Sequence, residues 1–536
     1  MEKIWNIKCD GRQLSSNDII DTLLKNRGIK DINNFLDPSE DNLIDFKAFK
    51  NIDKAKDIIL DTINSNGTFL IYGDVDTDGC SSTAIAYRYL KHFTDNIKIY
   101  LNKGKVHGIS DDFNIKEQLK DISTVIVVDS INDNPAKYIE ILNAGIKLIV
   151  MDHHVLGEKV LSVADDICLI SSAYDYPNHN LSGSGVTWKV MKYIDICTNN
   201  NYANDLVDLA TTGIVGDICD LSENSMENRY ICNLGFKTLR NPGIKRILGQ
   251  YEFNSTAILY SISPLINSAN RMENNYDAIK LFIEDDNIKL SSIIQQLTLY
   301  KEQQKVLVDE MYLKYIKPQS IKQADHKCLY FLVEGDSNFA GLLANKAVSE
   351  FNKPVIVLHN KDNNLYQGSM RAYGIDDFRA MINSIGIATC EGHEQAAGIS
   401  IPKDKFKQFY LALEELLKDY TFEQKIDIDM QLSIPQISPY LIAKVKNINK
   451  ISGNGFPKIL IALKDISKYY VFDMSNHKHM AIKCDDLSLI KWNMTNWDNV
   501  TNVPKEKTVS VVGTLEENYY KGMLNKQVII DDYKFE

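Results

Sequence analysis

The stretch "IYGDVDTDGCSSTA", Ile71 to Ala84, leaves an apolar run and sets Asp74, Asp76 and Asp78 at alternate positions ahead of Gly79. Neighbouring carboxylates repel unless a cation or a proton lies between them. An acidic turn on a solvated surface is the plain alternative, and the rest of the chain decides between the two. Apolar runs of strand length recur on either side: "TFLIYG" (68–73), "IKIYL" (97–101), "TVIVVD" (124–129), "KLIVMD" (147–152) and "ICLIS" (167–171). Rich in Ile and Val and without polar alternation, they predict strands covered on both faces, hence a parallel α/β sheet. Acids stand where these runs stop, at Asp74, Asp129 and Asp152. Ligand sites of open α/β sheets lie at the carboxyl ends of strands, so three acidic strand ends predict a site.

The third strand end continues as "MDHHVLGE", with His153 and His154 adjacent in a chain of only ten histidines. A histidine after a buried strand's terminal acid is well placed to ligate a metal; the alternative is a hydrogen-bonded residue closing the strand. Further on, "LVDLATTGIVGDICDL" (206–221) reads as an apolar helix carrying Asp217. A buried carboxylate is costly without a cation, whereas Asp220, nearer the helix end, can face water.

Composition sets the outer bounds. The 536 residues are 44% hydrophobic and 24% charged, enough for three or four domains with their own cores. No apolar run approaches the ~20 residues of a bilayer span, and the start "MEKIWNIKCDGRQ" lacks a secretory signal, so the expectation is a cytoplasmic protein with no membrane contact. Nine cysteines without a C-x-x-C pair suggest reduced thiols rather than a disulfide framework or zinc ribbon. A net charge of −11 excludes a surface basic throughout but leaves room for a local basic groove.

Taken together, "GDVDTDGCSST", "VVDSIND", "MDHH" and "TGIVGD" resemble, in order and spacing, the four motifs of the DHH phosphoesterases, in particular its RecJ-like single-stranded-DNA exonucleases. The likeness extends to "NRGIKDINNFLDPS" near the start, the glycine turn "LSGSGV" (181–186) and "PLINSANRM" (264–272). "QGSMRAYGID" (367–376) and "EGHEQAAGISI" (391–401) resemble the DHH-associated domain; "ISGNGFPK" (451–458), "HKHMAIK" (477–483) and "VVGTLEENYYKG" (511–522) resemble a C-terminal OB-fold. Departures fall at Asp129-Ser130-Ile131, where the family has Asp-Asn-Gly, at Glu391 in place of the first glycine of "GGH", and in "SNFAGLLAN" (337–345).

The resemblance implies an α/β fold: an N-terminal helical segment (1–66) packed on a parallel-sheet DHH domain (67–284), a connecting helix (285–318), an α/β DHH-associated domain (319–424) and a β-barrel OB-fold (425–536). From the residues alone, Leu290, Ile293, Ile294, Leu297, Leu307 and Met311 recur at helical spacing until Pro318, which predicts one helix of roughly 45 Å bordering a cleft for a strand. Carboxylates with an imidazole make a hard site suited to Mn²⁺ or Mg²⁺. By resemblance the ligands of a two-metal centre are Asp76, Asp78, Asp129, His153 and Asp217, with Asp129 bridging and Asp74 nearer the rim, while His154 meets the scissile phosphate or orients a ligand. The same likeness assigns Arg271, Ser369, Arg371, Gly392 and His393 to substrate, and Tyr519 and Tyr520 offer stacking surfaces in the OB-like tail.

The implied function is hydrolysis of single-stranded DNA, 5′ to 3′, to 5′-mononucleotides in repair and recombination. The implied enzyme is a monomer with a helicase and a single-strand-binding protein as partners. Two rivals are a DHH phosphodiesterase of short oligonucleotides or cyclic dinucleotides, which does not need the tail, and a non-catalytic replication scaffold, which expects eroded ligands. On this reading, removing the tail near residue 424 weakens long-strand binding and spares hydrolysis of short strands.

Overall fold

The runs picked out by their Ile and Val content are strands, and the first of them, Phe69–Gly73, is buried along its whole length. The computed structural model describes residues 3–102, 108–132, 134–174, 176–335, 337–362, 364–494, 507–520 and 523–536; the side chains of 519, 520, 523 and 524 are outside that description. Ile97–Leu101, Phe69–Gly73, Thr124–Val128, Lys147–Asp152 and Leu169–Ser171 pair side by side in that order, all parallel. One face is covered by an apolar layer holding Phe113, Tyr138 and Ile141; on the other lie the mutually packed helices Thr77–Leu90, Gly183–Thr198 and Val207–Gly216. The chain leaves Phe69–Gly73 for one neighbour and returns to the other side with Thr124–Val128. Asp74 and Asp129 therefore flank the point where the strand order reverses, the usual ligand position of such sheets.

By contacts, the chain divides into two compact units: Ile7–Thr298 with Asp427–Glu536, and Leu299–Ile426 with the N-terminal residues up to Asn6. In the first unit the C-terminal segment forms a seven-stranded sheet, in the order Met430–Leu432, Ile461–Ile466, Val509–Tyr520, Met523–Phe535, Leu487–Lys491, His479–Cys484 and Tyr470–Met474. Its core is not its own. Ile19, Ile20, Leu23, Leu24 and Phe35 of the N-terminal helices lie in the same apolar cluster as Met430, Leu441, Ile461, Val511 and Val528. Arg27 adds a bidentate pair to Asp429, 2.8 and 2.7 Å, with both side chains nearly buried. The first two N-terminal helices thus share their core with the C-terminal module, while the later helix Ile52–Asn64 sits against the parallel sheet, Thr62 bonding Thr124 at 2.7 Å. Removing the tail strips those first helices of their cover.

The second unit carries a five-stranded sheet in the order Thr389–Gly392, Ala396–Pro402, Leu365–Arg371, Val355–Asn360, Leu329–Leu332, antiparallel except for its last pair. The edge strand Leu329–Leu332 is sealed by two side-chain amides. Gln319 gives to Leu332 O (2.8 Å) and takes from Leu332 N (3.0 Å); Gln323 does the same at Tyr330 (2.6 and 2.8 Å). These pairs imitate a neighbouring strand and close the edge to a foreign one. The expected long helix runs over Asn287–Met311 but is not ended by Pro318. A π-turn, Tyr312–Ile316, precedes a further helical turn, Lys317–Ser320, whose first turn holds the proline, where its missing N–H costs little.

Candidate metal centre

Each acid is delivered by a strand end or a helix end. Asp76 caps the helix Thr77–Leu90, its Oδ1 accepting from the N–H groups of Asp78 and Gly79 at 3.0 Å each, which leaves Oδ2 for another partner. Asp78, in the first turn of that helix, is buried; its Oδ1 accepts from Ser182 Oγ (2.9 Å) and Ser184 N (3.1 Å). Its Oδ2 is buried with no hydrogen-bond partner among the described residues, and so is Asp129 Oδ1. Asp129 sits just past its strand at φ 51°, the left-handed region that Asp tolerates better than most residues. Asp217 closes the helix Val207–Gly216 as its C-cap.

His153 Nε2 joins them, 3.1 Å from Asp129 Oδ1, 3.8 Å from Asp217 Oδ2 and 3.9 Å from Asp78 Oδ2; none of the three is aligned as a hydrogen bond. Ligand atoms of Asp74, Asp76 and Asp129 gather within 4.8 Å, as do those of Asp78, His153 and Asp217, and of Asp129, His153 and His154. All six predicted ligands are therefore brought together. One detail is corrected: Asp74 is buried, 4% exposed, and its neighbour Asp76 holds the more open position. Strand-end alternation turns Asp74 inward, with Oδ1 bonded to the next N–H at 2.8 Å.

Electrostatics marks the cluster as incomplete without a cation. Burial, then the neighbouring Asp78 and Asp76, pushes the Asp129 carboxyl well above its ordinary value. Burial also raises Asp78, and raises Asp217 to about 7. Two orphaned buried oxygens among like charges fit a hard divalent cation such as Mn²⁺ or Mg²⁺, which the oxygens and one imidazole could ligate.

Two roles escaped the sequence. Asp152, fully buried, is not in the cluster: Oδ1 accepts from the N–H groups of His153 and His154 (2.7 Å each) and meets His154 Nδ1 (2.8 Å), and Oδ2 accepts from Ile131 N (2.9 Å). Burial alone would lower the imidazole of His154, but Asp152 outweighs it and lifts it to about 9; in turn burial would raise Asp152, yet His154 and the N–H groups bring it to about 2. Asp152 thus favours the protonated form of His154. The second is close packing: a Cβ on Gly183 would lie 2.6 Å from Asp129 Oδ1, and one on Gly213 would lie 2.1 Å from Asp78 Oδ1, so both helices must present glycine there.

The predicted substrate residues fall in both units. Arg271 ends the helix Ser263–Arg271; its only described bond is to Asn267 O at 3.3 Å, no carboxylate among the described residues pairs with it, and burial lowers it. In the second unit Arg371 gives Nε to Asn345 Oδ1 (2.6 Å) and Nη1 to Met370 O (2.7 Å), and a Cβ on Gly341 would lie 2.9 Å from its Nη2. The departing stretch 337–345 therefore supplies two residues that seat Arg371. Ser369 follows the same strand; Glu391, Gly392 and His393 are exposed, Gly392 at φ 128°. Arg379, unforeseen, donates to Gly392 O at 2.6 Å. The side chains of Tyr519 and Tyr520 lie outside the described residues.

Residues 68–214 match the DHH family, N-terminal domain, and 428–532 the RecJ OB domain. YorK, an SPbeta prophage-derived protein of Bacillus subtilis, is 27% identical over 96% of this chain and 95% of its own. The single-stranded-DNA-specific exonuclease RecJ of the same organism is 23% identical over 98% of this chain and 69% of that one. The crystal structure of RecJ with Mn²⁺ from Thermus thermophilus superposes at a TM-score of 0.77 and 20% identity, covering 99% of this chain and 79% of the other, a likeness of fold. Among the described residues no helix is long and apolar enough to cross a membrane.

Proposed function

From its likeness to the DHH family and to the RecJ OB domain, we propose that this chain is a metal-dependent exonuclease hydrolysing single-stranded DNA from the 5′ end to 5′-mononucleotides, in DNA repair or recombination. The observation that supports this best is the pair of orphaned oxygens, Asp78 Oδ2 and Asp129 Oδ1, inside a six-residue cluster at the switch point of the sheet. Asp74, Asp76, Asp78, Asp129, His153 and Asp217 would hold Mn²⁺ or Mg²⁺. Bound there, two such ions supply Lewis-acid stabilisation and a nucleophilic water at neutral pH.

The chain's own residues do the rest. Asp129 lies with Asp74 and Asp76 on one side and with His153 and His154 on the other, so it would be available to more than one ion. Ser182 and the Ser184 N–H fix Asp78, leaving its second oxygen to the ion. Asp152 keeps His154 protonated, so that its imidazolium can meet a phosphate oxygen. Arg271, without a carboxylate partner, is suited to a phosphate through its planar fork. Arg371, Ser369, Gly392 and His393 are the further substrate residues of this reading, and the RecJ OB domain adds a single-strand surface. In this reading the enzyme is a cytoplasmic monomer, with a helicase supplying strands and a single-strand-binding protein sharing them.

The test is a strand labelled at its 3′ end and digested with Mn²⁺, beside labelled dinucleotides. A ladder shortening progressively from the 5′ side is expected. Early release of the label as a free mononucleotide rejects the polarity, and turnover confined to dinucleotides rejects the substrate.

A further inference from the structure

The segment that follows Asp217 is held from two directions. On the helix side, Asp217 N donates to Gly213 O (2.8 Å), Ile218 N to Val215 O (3.2 Å) and Cys219 N to Ile214 O (3.1 Å). Ile218 nevertheless stands at φ 59°, a conformation that a β-branched residue avoids, and it is 57% exposed, so burial gives no reason for it. On the other side comes a tight loop of the C-terminal module, Gly453 to Phe456, closed by N–H···O bonds of 2.9 and 3.3 Å between its ends. Asn454 Nδ2 donates to Ile218 O (3.1 Å), and Asn454 O accepts from Leu221 N (3.0 Å).

The fit is close enough to dictate residue type. Gly455 is at φ 71°, and a Cβ there would stand 1.9 Å from Asp220 Oδ1. Asp220 cannot easily yield, since Ser222 N, Ser222 Oγ and Ser225 Oγ all bond its carboxylate at 2.9 Å. Beneath the loop, buried Arg229 donates to Leu221 O (3.2 Å), to Ile451 O (3.1 Å) of the C-terminal module and to Phe35 O (2.9 Å), its guanidinium 3.6 Å from the Phe35 ring centre and 5.2 Å from that of Phe456. The four residues after Asp217 are thus gripped by a part of the chain more than two hundred positions away.

We propose that the Gly453–Phe456 loop is a positioning element for the metal centre: Asn454 and Gly455 of the OB module hold Ile218 to Leu221 so that the Asp217 carboxylate stays in the cluster. The tail then tunes metal affinity at the catalytic end of the chain as well as offering a surface to single strands. This rests on the reading of Asp217 as a metal ligand given above. Neither residue touches the ion; each acts through the backbone of the ligand's own turn, as residues behind metal ligands do when their loss costs 10- to 100-fold in metal affinity or activity.

The experiment uses the full chain with Mn²⁺ as the probe, measured by calorimetry and by the Mn²⁺ dependence of hydrolysis of a short single strand. Asn454→Ala and Gly455→Ala are each expected to weaken Mn²⁺ binding about tenfold, to recover hydrolysis at saturating Mn²⁺, and to leave single-strand affinity in chelator unchanged. Asn454→Ala removes one side-chain bond and keeps the loop, so it decides the matter if Gly455→Ala does not fold. A variant that melts earlier yet titrates Mn²⁺ as wild type overturns the proposal, because the loop would then be structural only. Asp217→Asn separates the two levels: wild-type Mn²⁺ binding in that variant removes Asp217 from the ligands, and the positioning role falls with it.

Discussion

The acidic cluster of the first unit and the predicted substrate residues of the second are built by opposite rules. At the cluster every carboxylate is buried or nearly so, one oxygen of Asp76 and of Asp78 is already bonded to the protein, and glycines at 183 and 213 clear the space around Asp129 and Asp78. At Ser369, Arg371, Gly392 and His393 the side chains lie on or near the surface and bond close neighbours in their own sheet and helix. The difference separates what is fixed by folding from what is fixed by substrate. Carboxylates forced together in a dry pocket must be positioned in advance, because nothing but a cation or a proton can hold them there. A guanidinium in water keeps its charge anywhere and can wait for its phosphate.

The sharpest way to break this contrast is Asp129→Ala. It is expected to abolish hydrolysis while leaving the far-ultraviolet spectrum unchanged and the melting temperature of the metal-free chain no lower, since a buried acid at positive φ with no hydrogen bond on Oδ1 is lost. Near-wild-type cleavage at equal purity would remove the two-metal reading.

Truncation after residue 424 comes next and acts on stability rather than chemistry. It uncovers Ile19, Ile20, Leu23, Leu24 and Phe35, each stabilising by about 1.5–3 kcal/mol when buried. The sum is comparable with the ~5–15 kcal/mol net stability of a whole domain. An aggregated or partly unfolded product is expected by size-exclusion chromatography; a monodisperse, active fragment would show that the shared core is dispensable.

A pH titration of the metal-free chain probes the same acids more gently. With Asp217 raised to about 7, and Asp129 and Asp78 raised as well, the folded state keeps protons that the unfolded state has already released above its ordinary carboxylate value of 3.8. Stability should therefore fall as pH rises through the window from about 4 to about 7. Melting curves in chelator are expected to show this slope, and Mn²⁺ to flatten it. A melting temperature in chelator that rises across that window would contradict the raised values.

The smallest effects belong to the two arginines. Arg271→Ala should lower kcat/KM about 10- to 100-fold, the range of one charged hydrogen-bond pair, with partial recovery in Arg271→Lys. Arg371→Ala should raise KM by about the effect of one neutral bond, a few-fold, because Asn345 and Met370 O already occupy much of its fork. Equal losses at the two arginines would contradict the view that Asn345 and Met370 O already occupy much of the Arg371 fork.

The parallel sheet was legible because its strands are unbroken Ile and Val runs, and the ligand set because acids stand at the ends of those runs. What escaped is what depends on distance in space rather than position in sequence. Asp152 ends a strand just as Asp129 does, yet one more residue of strand turns its carboxylate toward the His153 and His154 N–H groups instead of the cluster. Ser182 and Ser184 could be read only as a glycine turn, since their bond to Asp78 spans more than a hundred residues. The left-handed Ile218 carries no sequence signal at all, and its holder, Asn454, lies in another module.

The core shared by the first helices and the last sheet also sets a timetable. Ile19 to Phe35 are made roughly 400 residues before their partners from Met430 onward, and at about 5–20 residues per second that gap lasts on the order of half a minute. For that interval on the ribosome the apolar face of these helices has no native cover. Only when the C-terminal strands emerge can the two ends of the polypeptide close on each other, and the same event brings the 453–456 loop to the turn after Asp217. The acidic cluster is therefore completed late in synthesis: a nascent or prematurely ended polypeptide already carries every acid up to Asp217 but lacks the loop that holds the turn after it.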